Sequence, residues 1–181
     1  MSSSAETGTP MQIAVALYRR DPISGDPRKR KIYQHESYHW GVLIIQGKVY
    51  DAYDATDRNN LDPVTWTQEN PTLGWWFKAN RGIDPDKSRK YLGNVIIGTV
   101  PSDKSRDDVH AFLKQVPLPI RHQNPQQSCV TWVANAIRAF REAQWLDDMN
   151  VEEFLDWTLD YADRRLANAH ETPRVVYYEK K

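Results

Sequence analysis

Residues 38–53 read Tyr38-His39-Trp40-Gly41-Val42-Leu43-Ile44-Ile45-Gln46-Gly47-Lys48-Val49-Tyr50-Asp51-Ala52-Tyr53. Two short apolar runs, His39 to Ile45 and Lys48 to Tyr53, are rich in β-branched and aromatic residues and separated only by Gln46-Gly47. That pattern predicts a β-hairpin. Side chains two apart in a strand share a face, so His39, Gly41 and Leu43 point one way and Trp40, Val42 and Ile44 the other.

Upstream, Gln12 to Tyr18 is a short apolar run with the length of a strand. Residues 21–36, with Pro22, Gly25, Pro27 and the basic cluster Arg28-Lys29-Arg30-Lys31, read as a solvated loop. Residues 1–10 are small and polar and read as a disordered tail ahead of one domain, 11–181. Downstream, residues 55–92 are rich in Asn, Asp, Pro, Gly and Trp and show no period, which points to a long functional loop or lid. Asn94 to Val100 restores a strand.

Three helices follow. Val109, Phe112, Leu113 and Val116 form one stripe from about Asp103 to the stop at Pro117. Ser128 is an N-cap for a second helix that is apolar on two sides and therefore expected at the centre. Asn150 and Glu153 open a third in capping-box spacing. Val175 to Tyr178 adds an edge strand. The expected fold is α+β, an antiparallel sheet packed against a helical layer.

Composition narrows the function classes. Lysine plus arginine and aspartate plus glutamate each number 24, so there is no net field to attract nucleic acid, and no nucleic-acid partner is expected. No run is long enough to span a membrane. The start has neither a basic nor an apolar leader segment, and the one cysteine cannot form an intrachain disulfide, so a cytoplasmic setting is expected. GxGxxG, P-loop, CxxC and HExxH motifs are missing, and no cofactor or metal is implied.

The single cysteine, Cys129, directly follows the Ser128 cap. Unpaired N–H groups and the dipole at a helix start favour a thiolate, the nucleophilic form. Of five histidines only His39 lies in a strand, and a strand-borne base beside a helix-borne thiol is an arrangement used in covalent catalysis. The competing reading of Cys129 is a small buried hydrophobe.

Tyr-His-Trp-Gly-Val-Leu-Ile, a glycine turn, Val-Tyr-Asp, and much later Cys-Val-Thr-Trp-Val at a helix start resemble the circularly permuted NlpC-type branch of papain-like folds. That branch includes lecithin:retinol acyltransferase-like enzymes, and small fungal proteins of unassigned function look similar. The resemblance covers roughly residues 12–143. It implies His39 as base, Asp51 as the residue orienting it and Cys129 as nucleophile. One departure is Ser128, where relatives often carry Asn.

Strand geometry leaves the third member open. A three-residue turn at Ile45-Gln46-Gly47 sets Asp51 diagonal to His39 across Gly41, in agreement with the resemblance. A two-residue turn at Gln46-Gly47 sets Asp54 opposite His39 instead. Gln126 or Gln127, with the Cys129 N–H, are candidate oxyanion donors. Trp75, Trp76 and Trp132 are candidates for an aromatic substrate wall. Two classes remain: a thiol hydrolase or acyltransferase acting on a small-molecule or peptide amide, ester or thioester, and an inactive binding or scaffold module of the same fold.

Overall fold

The computed structural model describes residues 8–179. The described residues form an α+β fold with four α-helices and a six-stranded sheet. The strands are β1 Gln12–Arg19, β2 Tyr38–Gln46, β3 Val49–Thr56, β4 Trp76–Ile83, β5 Tyr91–Thr99 and β6 Val175–Tyr177. They lie in the order β4-β3-β2-β1-β5-β6. Neighbours are antiparallel except β6, which joins β5 in parallel, so the sheet is mixed rather than purely antiparallel.

The hairpin forms as expected, but its turn sits one residue later. Gln46 pairs with Val49, so the two-residue loop is Gly47-Lys48, with Gly47 at φ 59° in the first central position. That is the glycine placement of a type II′ turn, whose twist matches the flanking strands. The register follows: Val42 faces Tyr53 and Ile44 faces Asp51. One step further, Gly41 lies against Asp54, where an added Cβ would stand 3.3 Å from the Asp54 Cβ and 2.8 Å from the Tyr53 carbonyl oxygen.

Two expected loops contain regular structure. Within residues 21–36, Pro27–Tyr33 forms helix α1, started by Pro27 itself and by the Asp26 side chain, which accepts from the Arg28 N–H at 2.9 Å. A 3-10 turn at Gln34–Ser37 then leads into β2. Within 55–92, β4 occupies Trp76–Ile83, a long irregular segment precedes it and a short 3-10 turn at Pro85–Lys87 follows it. Lys78, Asn80 and Arg81 break any apolar alternation there, as on many exposed sheet edges. Of the expected tail, residues 1–7 lie outside the described residues, while the Thr9 carbonyl accepts from the Gln46 side chain at 3.0 Å.

The remaining helices are α2 Arg106–Lys114, α3 Cys129–Glu142 and α4 Val151–Ala167, capped by Ser105, Ser128 and Asn150 respectively. Helix α3 buries both of its apolar sides, from Cys129 and Trp132 through Ile137 and Phe140. The main core lies between these helices and one sheet face, which contributes Val15, Leu17, Trp40, Val42, Ile44 and Tyr53. The opposite face carries a smaller cluster of Ala14, Ala16, Leu43 and Ala52, bordered by Tyr18 and Tyr50. Among the described residues no helix is long and apolar enough to cross a membrane.

Because a methyl at position 41 meets backbone, Gly41→Ala should cost about 1–3 kcal/mol, the usual range for overpacking. Gly74→Ala, whose added carbon would meet its nearest neighbour at an ordinary 3.7 Å, should stay within about 0.5 kcal/mol of wild type. Urea denaturation of the two variants checks the difference.

Candidate functional site

His39 is the second residue of β2 and lies on the face of Leu43 and Ile45. Tyr18 of β1 stands opposite it in the register, with ring centroids 6.0 Å apart. On the other side, the His39 Nε2 meets the Asp54 Oδ2 at 2.7 Å. Asp54 is diagonal to His39 across Gly41, and the missing side chain leaves room for this approach. The geometry expected for Asp51 therefore belongs to Asp54, because the turn begins at Gly47.

Cys129 comes from the other layer. It is the first residue of α3, and its side chain interacts with the same imidazole. With Nε2 engaged by Asp54, Nδ1 is the ring nitrogen left for the thiol. The two meet at the end of the sheet where β2 starts, since the Ser128 side chain bonds Glu36 in the turn just before that strand. Burial alone would push His39 down. The hydrogen bond to Asp54, the contact with Cys129 and the charges of both outweigh burial and raise the imidazole from 6.5 to about 10.

Asp51 has a different occupation. It is on the helix-facing side of β3, 2% exposed, and receives Arg106 Nε at 2.8 Å and Nη2 at 2.6 Å, with the Gly82 N–H at 2.8 Å. Arg81 approaches to 3.9 Å. Burial acts to raise this carboxyl, but the Arg106 hydrogen bonds, the Gly82 N–H and the two guanidinium charges hold it below the usual carboxylate range. Asp51 is thus an ion-pair anchor for the start of α2 and does not orient His39.

The other candidates separate clearly. Ser128 caps α3 in place of Asn: its hydroxyl accepts from the Val130 N–H at 3.1 Å and its own N–H donates to the Thr131 hydroxyl at 3.0 Å. Gln127 uses its side-chain oxygen to accept from the Ile120 N–H at 2.8 Å, which braces the loop leading to Cys129, while Gln126 is exposed. Trp132 is fully buried near Phe77 and belongs to the core, not to a substrate wall. Trp75 also packs on the helical side. Trp76 pairs with Thr56, so of the three tryptophans it alone shares the sheet face of Asp54 and His39.

Tyr18, Glu36 and Lys78, the cross-strand partner of Asp54, were not apparent from sequence. Their positions follow from strand pairing and from the approach of α3 to β2, for which no local pattern exists. Among the described residues no group of three or more His, Cys, Asp or Glu could hold a metal ion.

The chain belongs to a family of unknown function, DUF6914, which matches residues 11–169. No curated protein and no solved structure matches it.

Two aspartates on one strand should behave differently. Asp51→Asn leaves Arg106 without its partner and should cost about 2–3 kcal/mol, less than a fully buried pair would lose because the Arg106 side chain is 35% exposed. That contribution is present above the ordinary carboxylate pKa and disappears as pH falls through the lowered one. Since folding raises the His39 pKa, the stability from its pair is complete below pH 6.5 and is lost as pH rises through about 10. Urea denaturation from pH 7 to 10.5 should show a decline in wild type that is smaller in Asp54→Asn and unchanged in size in Asp51→Asn.

Proposed function

We propose that this chain is a cysteine-dependent acyl-transfer enzyme, with Cys129 as nucleophile, His39 as acid and base, and Asp54 as the residue that orients the ring. The observation that carries the reading is the half-buried imidazole held between a carboxylate on Nε2 and a thiol at a helix start. The chain order of histidine, acid on the next strand, then cysteine on a central helix is the order of the permuted NlpC-type papain-like arrangement, and we extend that arrangement to this sheet.

In this mechanism the thiolate adds to the carbonyl carbon of an amide, ester or thioester, forming a C–S bond and an oxyanion. The Cys129 N–H is a suitable donor for that oxyanion, because the Ser128 hydroxyl is already occupied by the N–H groups further into the first turn. Collapse of the tetrahedral species breaks the bond to the leaving group, which takes a proton from His39. Water or an amine then attacks the acyl-cysteine, giving its proton to His39, and the C–S bond breaks to restore the thiol. Asp54 keeps the ring aligned and stabilises the imidazolium throughout.

The second reading is a scaffold module of the same fold. It is favoured by the low exposure of Cys129, 4%, which leaves little of the thiol open to a substrate.

Turnover of a panel of activated esters, thioesters and peptidyl amides separates the two. Cys129→Ala and His39→Ala should each lower activity at least about a thousandfold, and the double variant should be little worse, because such residues act as a unit. Asp54→Asn should keep partial activity, since an amide oxygen still accepts from Nε2–H. Asp51→Asn should retain near-normal activity per folded molecule. Activity that survives in Cys129→Ala excludes the mechanism.

A further inference from the structure

Ser128 and Glu36 stand beside nucleophile and base along the chain, and a side-chain hydrogen bond joins them. Ser128 immediately precedes Cys129, and Glu36 lies three residues before His39 in the turn that enters β2. The Ser128 hydroxyl accepts from helix N–H groups and donates its own proton to the Glu36 carboxylate. Ser128 is buried, so this hydroxyl has lost water as an alternative partner. Arg20, just after β1, donates to the Glu36 carbonyl at 2.9 Å and stands 3.6 Å from its carboxylate.

A serine needs no carboxylate in order to cap a helix. Here the extra bond joins the two elements whose separation decides whether thiol and imidazole meet. It also sets a negative charge beside the first turn of α3, where a thiolate would form, with one guanidinium to offset it.

Resting on the acyl-transfer reading, we propose that Glu36 is a positioning residue of the Cys129–His39 pair: through Ser128 it ties the nucleophile's helix to the base's strand, and together with Arg20 it sets the charge beside the thiol. The charged and titratable groups around the pair are His39 from β2, Asp54 from β3 on its Nε2, Tyr18 from β1 against its ring, and Glu36 with Arg20 at the Ser128 cap that precedes the thiol. Of these, Glu36 and Arg20 can be altered without touching the imidazole.

Two effects then divide between two substitutions. Glu36→Gln retains a carbonyl oxygen to accept from Ser128 but removes the charge. Glu36→Ala removes both. Loss of a negative charge beside the thiol favours the thiolate, whereas loss of the Arg20 charge disfavours it.

The test is the pH profile of Cys129 alkylation by iodoacetamide, followed by intact mass on the folded full chain, which needs no substrate. Glu36→Gln should move the acid limb of the profile down by roughly half a pH unit, and Arg20→Met should move it up by a similar amount, as expected for one charge in a partly solvated site. Glu36→Ala should move the limb down as Gln does and lower the plateau further than Gln does. If the limb stays in place in both Glu36→Gln and Arg20→Met, the proposal is overturned. Should wild type itself label no faster than His39→Ala at any pH, the acyl-transfer reading fails instead. A merely structural role for Glu36 would lower the melting temperature without moving the limb.

Discussion

The backbone at Gly47 controls which acidic residue reaches the imidazole. With a positive φ at the first position of a two-residue turn, Gln46 closes on Val49 and every later pair follows. Gly41 then faces Asp54, and the space above a glycine is where a diagonal carboxylate can reach His39. A three-residue turn at Ile45-Gln46-Gly47 would instead move each side chain of β3 to the opposite face. Asp54 would then leave the imidazole, and Asp51 would be turned away from the arginines that make its burial tolerable.

Each strand face therefore carries one assignment. On the helical side, Asp51 holds Arg106 at the start of α2 and Tyr53 packs into the main core. On the other side, Tyr18, His39, Asp54 and Trp76 lie in adjacent strands around the point that Cys129 approaches from the helical layer. Helix α3 can supply a thiol there because it is buried along two sides and fixed at its first turn by Ser128, Thr131 and Glu36. Precision at the thiol thus comes from the cap as much as from the core.

Much of this was legible in local pattern. Apolar runs marked β1, β2, β3 and β5, and the stripes and caps at Ser128 and Asn150 marked α3 and α4, because period and capping are properties of neighbouring residues. His39 and Cys129 could be paired as candidates because their types and local settings were both unusual. The third member could not, since a three-residue turn at Ile45-Gln46-Gly47 and a two-residue turn at Gln46-Gly47 both fit the local sequence, and the chain takes neither, closing Gln46 on Val49 instead. Asp51 looked like a site residue until its partner appeared 55 positions away in Arg106. Strand β4 was hidden by its charged, exposed edge, and α1 by its short polar sequence. Glu36 is visible only once α3 is seated against the start of β2.

The central claim is that thiol and carboxylate act together on one imidazole, and ring-nitrogen NMR of His39 measures it directly. In the wild-type protein both ring nitrogens should remain protonated at pH 8, well above the ordinary histidine value of 6.5, and in Cys129→Ala the titration should move toward lower pH while the Nε2 signal keeps the signature of its bond to Asp54. An imidazole that titrates near 6.5 in both proteins, indifferent to the loss of the thiol, would contradict the account.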